Sequence, residues 1–253
     1  MTMLAPGYIE SHQFAGTLKA RGYSVLNAGK LTSFIRHPLA ELESLQPDRD
    51  NLPLDNFLKN SGRYRRRRHS CFIVNHQSLT RVPRRAHYQS TAYKSLHGGM
   101  HRLFEPIAQH TVQQPAWKAL MFAISGICPT IRGEQPWHIE AHQFRINTRN
   151  GIGRPTPEGA HRNGVDFVAI LLVSRNHASC GETRIFKLEG PNGQRFTLSP
   201  HWTLLLLDDQ RVIHESTPIQ PTAENAYPDT LLLTSRAGAF LKKLESFIRK
   251  NYT

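Results

Sequence analysis

The sequence predicts a mainly β protein with flanking helices (α+β), in which a helical N-terminal part precedes an antiparallel β-sandwich or barrel. After Pro136, short runs with strand character follow one another and are separated by turns of Gly, Pro, Asn and Asp. Two apolar runs, Phe167–Val173 and Leu204–Leu207, have no polar face, as expected of strands covered on both sides. With 253 residues, 39% of them hydrophobic, the chain can bury a substantial core without disulfides or a structural metal.

The first 135 residues are predicted to be helical and irregular. The predicted helices are Glu10–Arg21, Pro38–Leu45, Leu103–His110 and Ala116–Cys128, and Tyr23–Leu26 is a short predicted strand. In the last of these helices apolar residues recur at helical spacing from Trp117 to Ile127, which indicates packing on the core.

The second part is predicted to consist of strands and a final helix. The predicted strands are His138–Asn147, Val165–Val173, Thr183–Leu188, Arg195–Leu198, Trp202–Leu207, Arg211–His214 and Thr230–Ser235. Apolar residues at helical spacing predict a helix over Ala239–Lys250. Because no linker separates the parts, we expect a single domain over 1–253, with an N-terminal part at 1–135, a β core at 136–238 and a C-terminal helix at 239–253.

The charge of the chain is strongly basic, with 32 Lys and Arg against 19 Asp and Glu and a net charge of +13. Ten of the basic residues lie between Arg63 and Phe104, a stretch without a single acid. An excess of this kind favours an anionic partner or substrate and carries no information about the fold.

The run Arg63–Arg68 places arginines on both faces of a predicted strand. A packed core cannot bury five guanidinium groups, so at least one face meets water or an anion. Three interpretations remain open: a solvated edge strand, a cavity face on which Arg65 and Arg67 bind a substrate carboxylate, or a surface for nucleic acid. No recognised nucleic-acid motif accompanies the third interpretation.

Cysteine content and the N-terminal sequence bear on the cellular compartment. Three cysteines at wide spacing, without a Cys-x-x-Cys pair, match neither a disulfide framework nor a structural zinc site. The first residues lack the pattern of a signal peptide, and no apolar run approaches the length of a membrane span. We therefore expect a cytoplasmic protein that does not enter a membrane.

Two polar segments next to apolar strands carry the candidate chemistry. His161 and Asn163 lie in the first, just before a predicted buried strand, and His214 lies in the second, after another buried strand. A His-x-acid pair followed by a distant His is the arrangement in which two imidazoles and one carboxylate bind one face of Fe(II). Side chains two positions apart in an extended segment point the same way, which suits this task.

At these residues the chain resembles the 2-oxoglutarate/Fe(II) dioxygenases, and within them the bacterial group that contains L-isoleucine dioxygenase and the biofilm-stress-motility protein. The matching segments are His-Gln-Phe-Arg at 142–145, Pro-Glu-Gly-Ala-His-Arg-Asn-Gly-Val-Asp-Phe-Val at 157–168, Val-Ile-His-Glu-Ser-Thr-Pro at 212–218 and Asp-Thr-Leu-Leu-Leu-Thr at 229–234. The resemblance implies a double-stranded β-helix (a cupin-like jelly roll) with helices outside. It also implies Fe(II)- and 2-oxoglutarate-dependent hydroxylation of a small, anionic substrate such as a free amino acid.

The resemblance also implies roles for individual residues. His161, Asn163 and His214 are the implied catalytic metal ligands, although the family has Asp where this chain has Asn163. Gln143 and Arg145 share a strand face that could line the barrel mouth and contact the co-substrate, or could form a polar ladder between strands.

A second departure concerns the far carboxylate of 2-oxoglutarate. The arginine that the family places just before Asp229 aligns with Pro228, which binds no anion. Arg236 on the same predicted strand is the nearest substitute for this cofactor-binding role.

Three functions follow from these residues. The first is an active dioxygenase. The second is a catalytically silent jelly-roll protein that binds an anionic ligand in the same pocket, because both departures remove groups that the chemistry needs. The third is a basic nucleic-acid-binding module. Asp166 and the pair Asp208–Asp209 are expected to be structural, the pair in a turn between two strands.

Overall fold

The computed structural model describes residues 4–58, 64–76, 78–93, 98–148, 151–189 and 192–241. The helices in these ranges are α1 (Phe14–Arg21), α2 (Ala28–Ile35), α3 (Leu39–Glu43), α4 (Gln109–Gln113), α5 (Pro115–Ser125) and α6 (Ile127–Arg132), with single 3₁₀ turns at Ser11–Gln13 and Pro47–Arg49. The strands are β1 (Tyr23–Leu26), β2 (Arg65–Asn75), β3 (Ser78–Arg81), β4 (His87–Tyr88), β5 (His101–Arg102), β6 (Trp137–Ile146), β7 (Phe167–Asn176), β8 (Ala178–Cys180), β9 (Glu182–Lys187), β10 (Gly193–Thr197), β11 (Thr203–Asp208), β12 (Val212–Ser216), β13 (Ile219–Pro221) and β14 (Tyr227–Ala237).

Two antiparallel sheets form the β core. The large sheet has seven strands in the order β1-β11-β7-β14-β6-β2-β3, and the small sheet has the order β10-β9-β12. The sheets pack face to face through apolar residues such as Val168 and Leu205 of the large sheet and Ile185 and Phe196 of the small one. This arrangement confirms the predicted mainly β, jelly-roll fold.

A layer of helices covers the outer face of the large sheet. Trp117, Leu120 and Met121 of α5 join Phe72 and Trp137 of the sheet in one apolar cluster. Strands β7 and β11 contribute alternate residues to this cluster and to the one between the sheets, so both strands are buried on two sides, as their sequences predict.

In the N-terminal part, β3, β4 and β5 were not predicted, and two further differences concern helices. The predicted helix Leu103–His110 is absent except for its last two residues, which begin α4, because the segment runs along β2 and the carbonyl of Glu105 accepts the His69 amide. Helix α2 was not predicted; the side chain of Asn27 caps it by accepting a hydrogen bond from the Lys30 amide at 3.0 Å.

The predicted C-terminal helix lies mostly outside the described residues. In the predicted C-terminal helix at 239–253, residues 239–241 are not helical, and 242–253 lie outside the described residues. None of the helices in the described ranges has the length and apolarity needed to cross a lipid bilayer.

Candidate active site

A cavity of about 190 Å³ lies between the large and the small sheet. Strands β2, β6, β7 and β14 line it on one side, and β9 and β12 line it on the other. A cavity of this size admits small molecules and excludes a folded partner.

His161 and His214 meet in this cavity. Their backbones form an isolated antiparallel bridge, with each amide donating to the other residue's carbonyl at 3.0 Å. The ring centroids are 4.8 Å apart, and the two residues are only 8% and 5% exposed. His161 Nδ1 donates to the Gly159 carbonyl at 2.9 Å, which leaves the lone pair of the neutral ring on Nε2. The structure thus brings the two predicted histidines together.

Asn163 lines the same cavity, and Asp209 fixes its backbone. The Asp209 carboxylate accepts the amides of Asn163 at 3.0 Å, Gly164 at 2.8 Å and Val165 at 3.1 Å. Burial nevertheless raises the pKa of Asp209, because desolvation outweighs these three bonds. Asp209 is therefore structural as the anchor of the loop that carries His161 and Asn163, a role that its sequence context did not reveal.

Two further carboxylates near this loop, those of Asp166 and Asp208, have structural roles as well. Asp166 accepts hydrogen bonds from the Ala237 amide at 2.9 Å and the Gln210 side chain at 2.6 Å, in line with the predicted structural role. Asp208 pairs with Arg132 at 2.7 Å.

The side chain of Asn163 is oriented by a chain of hydrogen bonds. Arg102 donates to Gln89 Oε1 at 2.8 Å, so the amide nitrogen of Gln89 faces Asn163 and donates to Asn163 Oδ1 at 3.4 Å. Because a guanidinium group only donates, it sets the orientation of both amides. Asn163 therefore has its oxygen, the atom able to bind a cation, held in a defined position.

Arg65 and Arg67 point into the protein and line the cavity. Arg65 pairs with Asp55 at 2.7 Å, and Arg67 lies 3.8 Å from the same carboxylate and stacks on Phe104 at 3.9 Å. Burial raises the pKa of Asp55, but the two arginines outweigh it and leave that pKa below its ordinary value.

Neighbouring arginines of the basic stretch also bond to the protein itself. Arg66 donates to the Leu52 carbonyl at 2.8 Å, Arg68 to the Pro106 carbonyl at 3.0 Å and Arg84 to the Phe104 carbonyl at 2.9 Å. Arg63 lies outside the described residues. Guanidinium groups used in this way do not form a phosphate-binding surface, so the nucleic-acid interpretation is not favoured.

Gln143 and Arg145 lie on the opposite face of β6 from the cavity. Trp137, Ile139 and Ala141 of the same parity pack under the helices, and it is His142 and Phe144 that line the cavity. Arg145 instead forms two bonds of 2.7 Å with Asp229. The cavity face of β6 is thus the one that carries His142 and Phe144, and the side chains of Gln143 and Arg145 do not line the cavity.

Arg236 lies away from the cavity as well, beside a smaller one that His138 and Phe240 help to line. Arg175, which the sequence did not single out, lines the large cavity and is the cross-strand partner of Pro228. Its guanidinium donates to the carbonyls of Ala178 at 2.9 Å, Leu198 at 3.0 Å and Cys180. Burial lowers the pKa of Arg175, and among the described residues no carboxylate forms an ion pair with it.

A second cluster of possible metal ligands lies beside the cavity: His69, His87, Glu140 and His142, all buried. Their ligand atoms lie within 4.8 Å of one another, so these side chains could hold a metal ion. Burial lowers the pKa values of the histidines, that of His87 to about 3, and the pKa of Glu140 is also lowered because the imidazoles outweigh its desolvation. No sequence pattern pointed to this cluster, because its members come from β2, β4 and β6.

Comparison with known proteins places these features in context. A family model described as 2OG-Fe dioxygenase matches residues 46–234. The crystal structure of a BsmA homologue from Methylobium petroleophilum is 44% identical, covers 96% of this chain and 99% of its own, and superposes with a TM-score of 0.89. No curated protein matches the sequence.

Two more distant structures share the fold. IDO from Bacillus thuringiensis is 19% identical over 91% of this chain and 100% of its own, with a TM-score of 0.75. The Fe(II)/α-ketoglutarate-dependent dioxygenase TqaL is 18% identical over 92% of this chain and 88% of its own, with a TM-score of 0.70. Identities this low show the fold alone.

Proposed function

The chain belongs to the 2-oxoglutarate/Fe(II) dioxygenase family, and from that premise we propose that it hydroxylates a small, anionic substrate such as a free amino acid. The family uses Fe(II) and 2-oxoglutarate. The observation that carries the proposal is the bridge of His161 and His214 inside the cavity between the sheets.

His161, His214 and Asn163 are the proposed iron ligands. Two buried imidazoles suit Fe(II), and the oriented Oδ1 of Asn163 offers a third donor on the same loop. An amide oxygen is neutral, so iron binds more weakly here than at a site with a carboxylate. When bound, Fe(II) would make O₂ reactive enough to oxidise the substrate, in a reaction coupled to decarboxylation of 2-oxoglutarate.

We assign the far carboxylate of 2-oxoglutarate to Arg175 in place of the predicted Arg236. Arg175 projects from the strand beside Pro228, and Arg236 lies at the smaller cavity. Three of the five N–H donors of Arg175 go to carbonyls, and a carboxylate would give this partly buried cation a counter-ion.

Arg65 and Arg67 are proposed to attract the carboxylate of the substrate. They line the cavity together with Arg102, and Glu158 and Glu215 line it as well. A free amino acid carries both charges at neutral pH, so its carboxylate and its ammonium group find partners of opposite sign. The three cysteines are unpaired, which fits a reducing compartment, and we place the protein in the cytoplasm.

Succinate formation from 2-oxoglutarate tests this function. Anaerobically prepared protein is loaded with Fe(II), exposed to air and supplied with each amino acid or with its amide, which lacks the carboxylate. We expect amino acids to stimulate succinate formation and their amides to fail. Asn163→Asp should raise the affinity for Fe(II) by about tenfold or more, because a full negative charge then faces the cation.

Arg175→Gln should raise the KM for 2-oxoglutarate by about 30-fold or more, and Arg236→Gln is the matched control that should leave it unchanged. Absence of succinate from iron-loaded wild type and Asn163→Asp alike would contradict the proposed function and support a silent, anion-binding protein. Equal stimulation by acids and amides would contradict the role of Arg65 and Arg67.

A further inference from the structure

We propose that His69, His87 and Glu140 form a second site for a divalent transition metal, separate from the iron site of His161 and His214. The three residues come from β2, β4 and β6, which belong to two different sheets. An ion bound here would tie these strands together beside the cavity.

The spacing of the donor atoms fits a metal ion. Glu140 Oε2 lies 3.2 Å from His69 Nε2 and in closer contact with His87 Nδ1. Metal–ligand bonds of about 2.0 to 2.2 Å place neighbouring ligand atoms about 3 Å apart. An ion therefore fits among these three atoms with only small shifts of the side chains.

The charge of Glu140 is the second argument. This residue is 6% exposed, and within the described part of the chain its ion-pair partners are all histidines. A buried carboxylate without a fixed cation is costly, because neutral imidazoles donate hydrogen bonds and supply no charge. Arg67 and Arg102 act on this charge only from beyond ion-pair distance, and a divalent ion would supply a positive charge in direct contact with the carboxylate.

His142 belongs to the cluster but is excluded as a ligand. The guanidinium of Arg67 donates to His142 Nδ1 at 2.9 Å, so in the neutral ring the proton lies on Nε2. That nitrogen faces Glu140 Oε2 at 3.9 Å. Arg67 fixes this tautomer, so Nε2 of His142 keeps its proton and cannot bind metal, whereas the proton of His69 or His87 can move to the other ring nitrogen when an ion replaces the hydrogen bond to Glu140. His142 instead supports the site by packing against the rings of both histidine ligands, with centroids 4.6 Å from His69 and 4.8 Å from His87.

An ion can reach the site from the two cavities. His87 and His142 line the large cavity, and His87 and Glu140 line the small one. Three protein ligands leave further coordination positions for water or for a molecule in either cavity.

Metal stoichiometry in the full chain tests the second site. Protein stripped with a chelator is dialysed against Zn(II) and measured by plasma mass spectrometry. We expect two ions per chain in the wild type and one in the double variant His161→Ala/His214→Ala, whose changes lie outside the cluster. Glu140→Gln should also retain one ion, and Glu134→Gln, a change at an exposed acid, should retain two.

The variant His142→Gln separates a supporting residue from a ligand. We expect the double variant carrying this third change to bind Zn(II) about 10- to 100-fold more weakly. Complete loss of the ion would overturn the three-ligand assignment, and unchanged affinity would overturn the supporting role.

A folded double variant that binds no Zn(II) would overturn the proposal, and this result stands even if Glu140→Gln fails to fold. Circular dichroism and a cooperative melt establish that the double variant is folded. Because the succinate assay reads the iron site, one proposal can fail while the other stands.

Discussion

Asp55 is the residue that allows two arginines to lie inside the β core. Its carboxylate pairs with Arg65 and lies 3.8 Å from Arg67, and its side chain is fully buried. Arg67 in turn reaches His142, so the acid also helps to position the side chains of the cavity wall.

Asp55→Asn should destabilise the protein by about 3 to 5 kcal/mol at pH 7, because two buried cations lose their counter-ion. The pKa of Asp55 lies below its ordinary 3.8 in the folded state, so its contribution is present above that pH and disappears as the pH falls through the folded-state pKa. Urea unfolding from pH 7 down to pH 3 measures both effects.

Asp50→Asn is the matched control, because Asp50 pairs with Arg145 while its side chain is 70% exposed. We expect a change within about 0.5 kcal/mol. Equal losses for the two variants would show that the buried pair contributes no more than the surface one.

At the scale of elements, the loop from His161 to Val165 depends on one glycine. Gly164 has φ +74°, and an added Cβ would lie 2.5 Å from the ring of Tyr93. The loop carries both His161 and Asn163, so a disturbance here reaches the proposed iron ligands.

Gly164→Ala should cost about 1 to 3 kcal/mol of stability and weaken iron binding. Gly133→Ala is the matched control, since Gly133 has φ +85° but no atom within 4 Å of an added Cβ. The control should show the backbone cost without the loss of iron. Calorimetric melts and Fe(II) titration report the two quantities, and intact iron binding in Gly164→Ala would argue against the rigid loop.

The elements of the β core were largely predictable, and their faces were less so. Strand β6 illustrates this, because Gln143 and Arg145 continue the parity of Trp137, Ile139 and Ala141, which indicates the helix-covered side. That signal was available in the sequence and was outweighed by the polarity of the two residues. The position of Arg175 beside Pro228 depends on strand register, which the sequence does not reveal.

For the whole molecule, the N-terminal part supplies strands and a covering helix to the large sheet of the β core. Strands β1, β2 and β3 belong to the large sheet, and α5 covers its outer face. The meeting of His161 and His214 was predictable because each lies in a recognisable segment. The cluster of His69, His87 and Glu140 was not, because three strands must pair and pack before these residues meet.

A fragment of residues 136–241 should therefore not fold by itself. It would expose the edges of β6 and β11 and the apolar outer face of the sheet, a state prone to aggregation. Circular dichroism during heating compares it with the full chain. A cooperative melt of the fragment would mean that the β core is an independent domain.

The pairing of β1 with β11 has a consequence for biosynthesis. Tyr23 lies opposite Leu207, so nearly the whole chain must leave the ribosome before the first strand finds its place. At translation speeds of 5 to 20 residues per second, that wait is roughly 10 to 40 s. Throughout it the apolar side chains of the N-terminal helices lack the sheet that will cover them, and we expect the nascent chain to depend on chaperones for this interval.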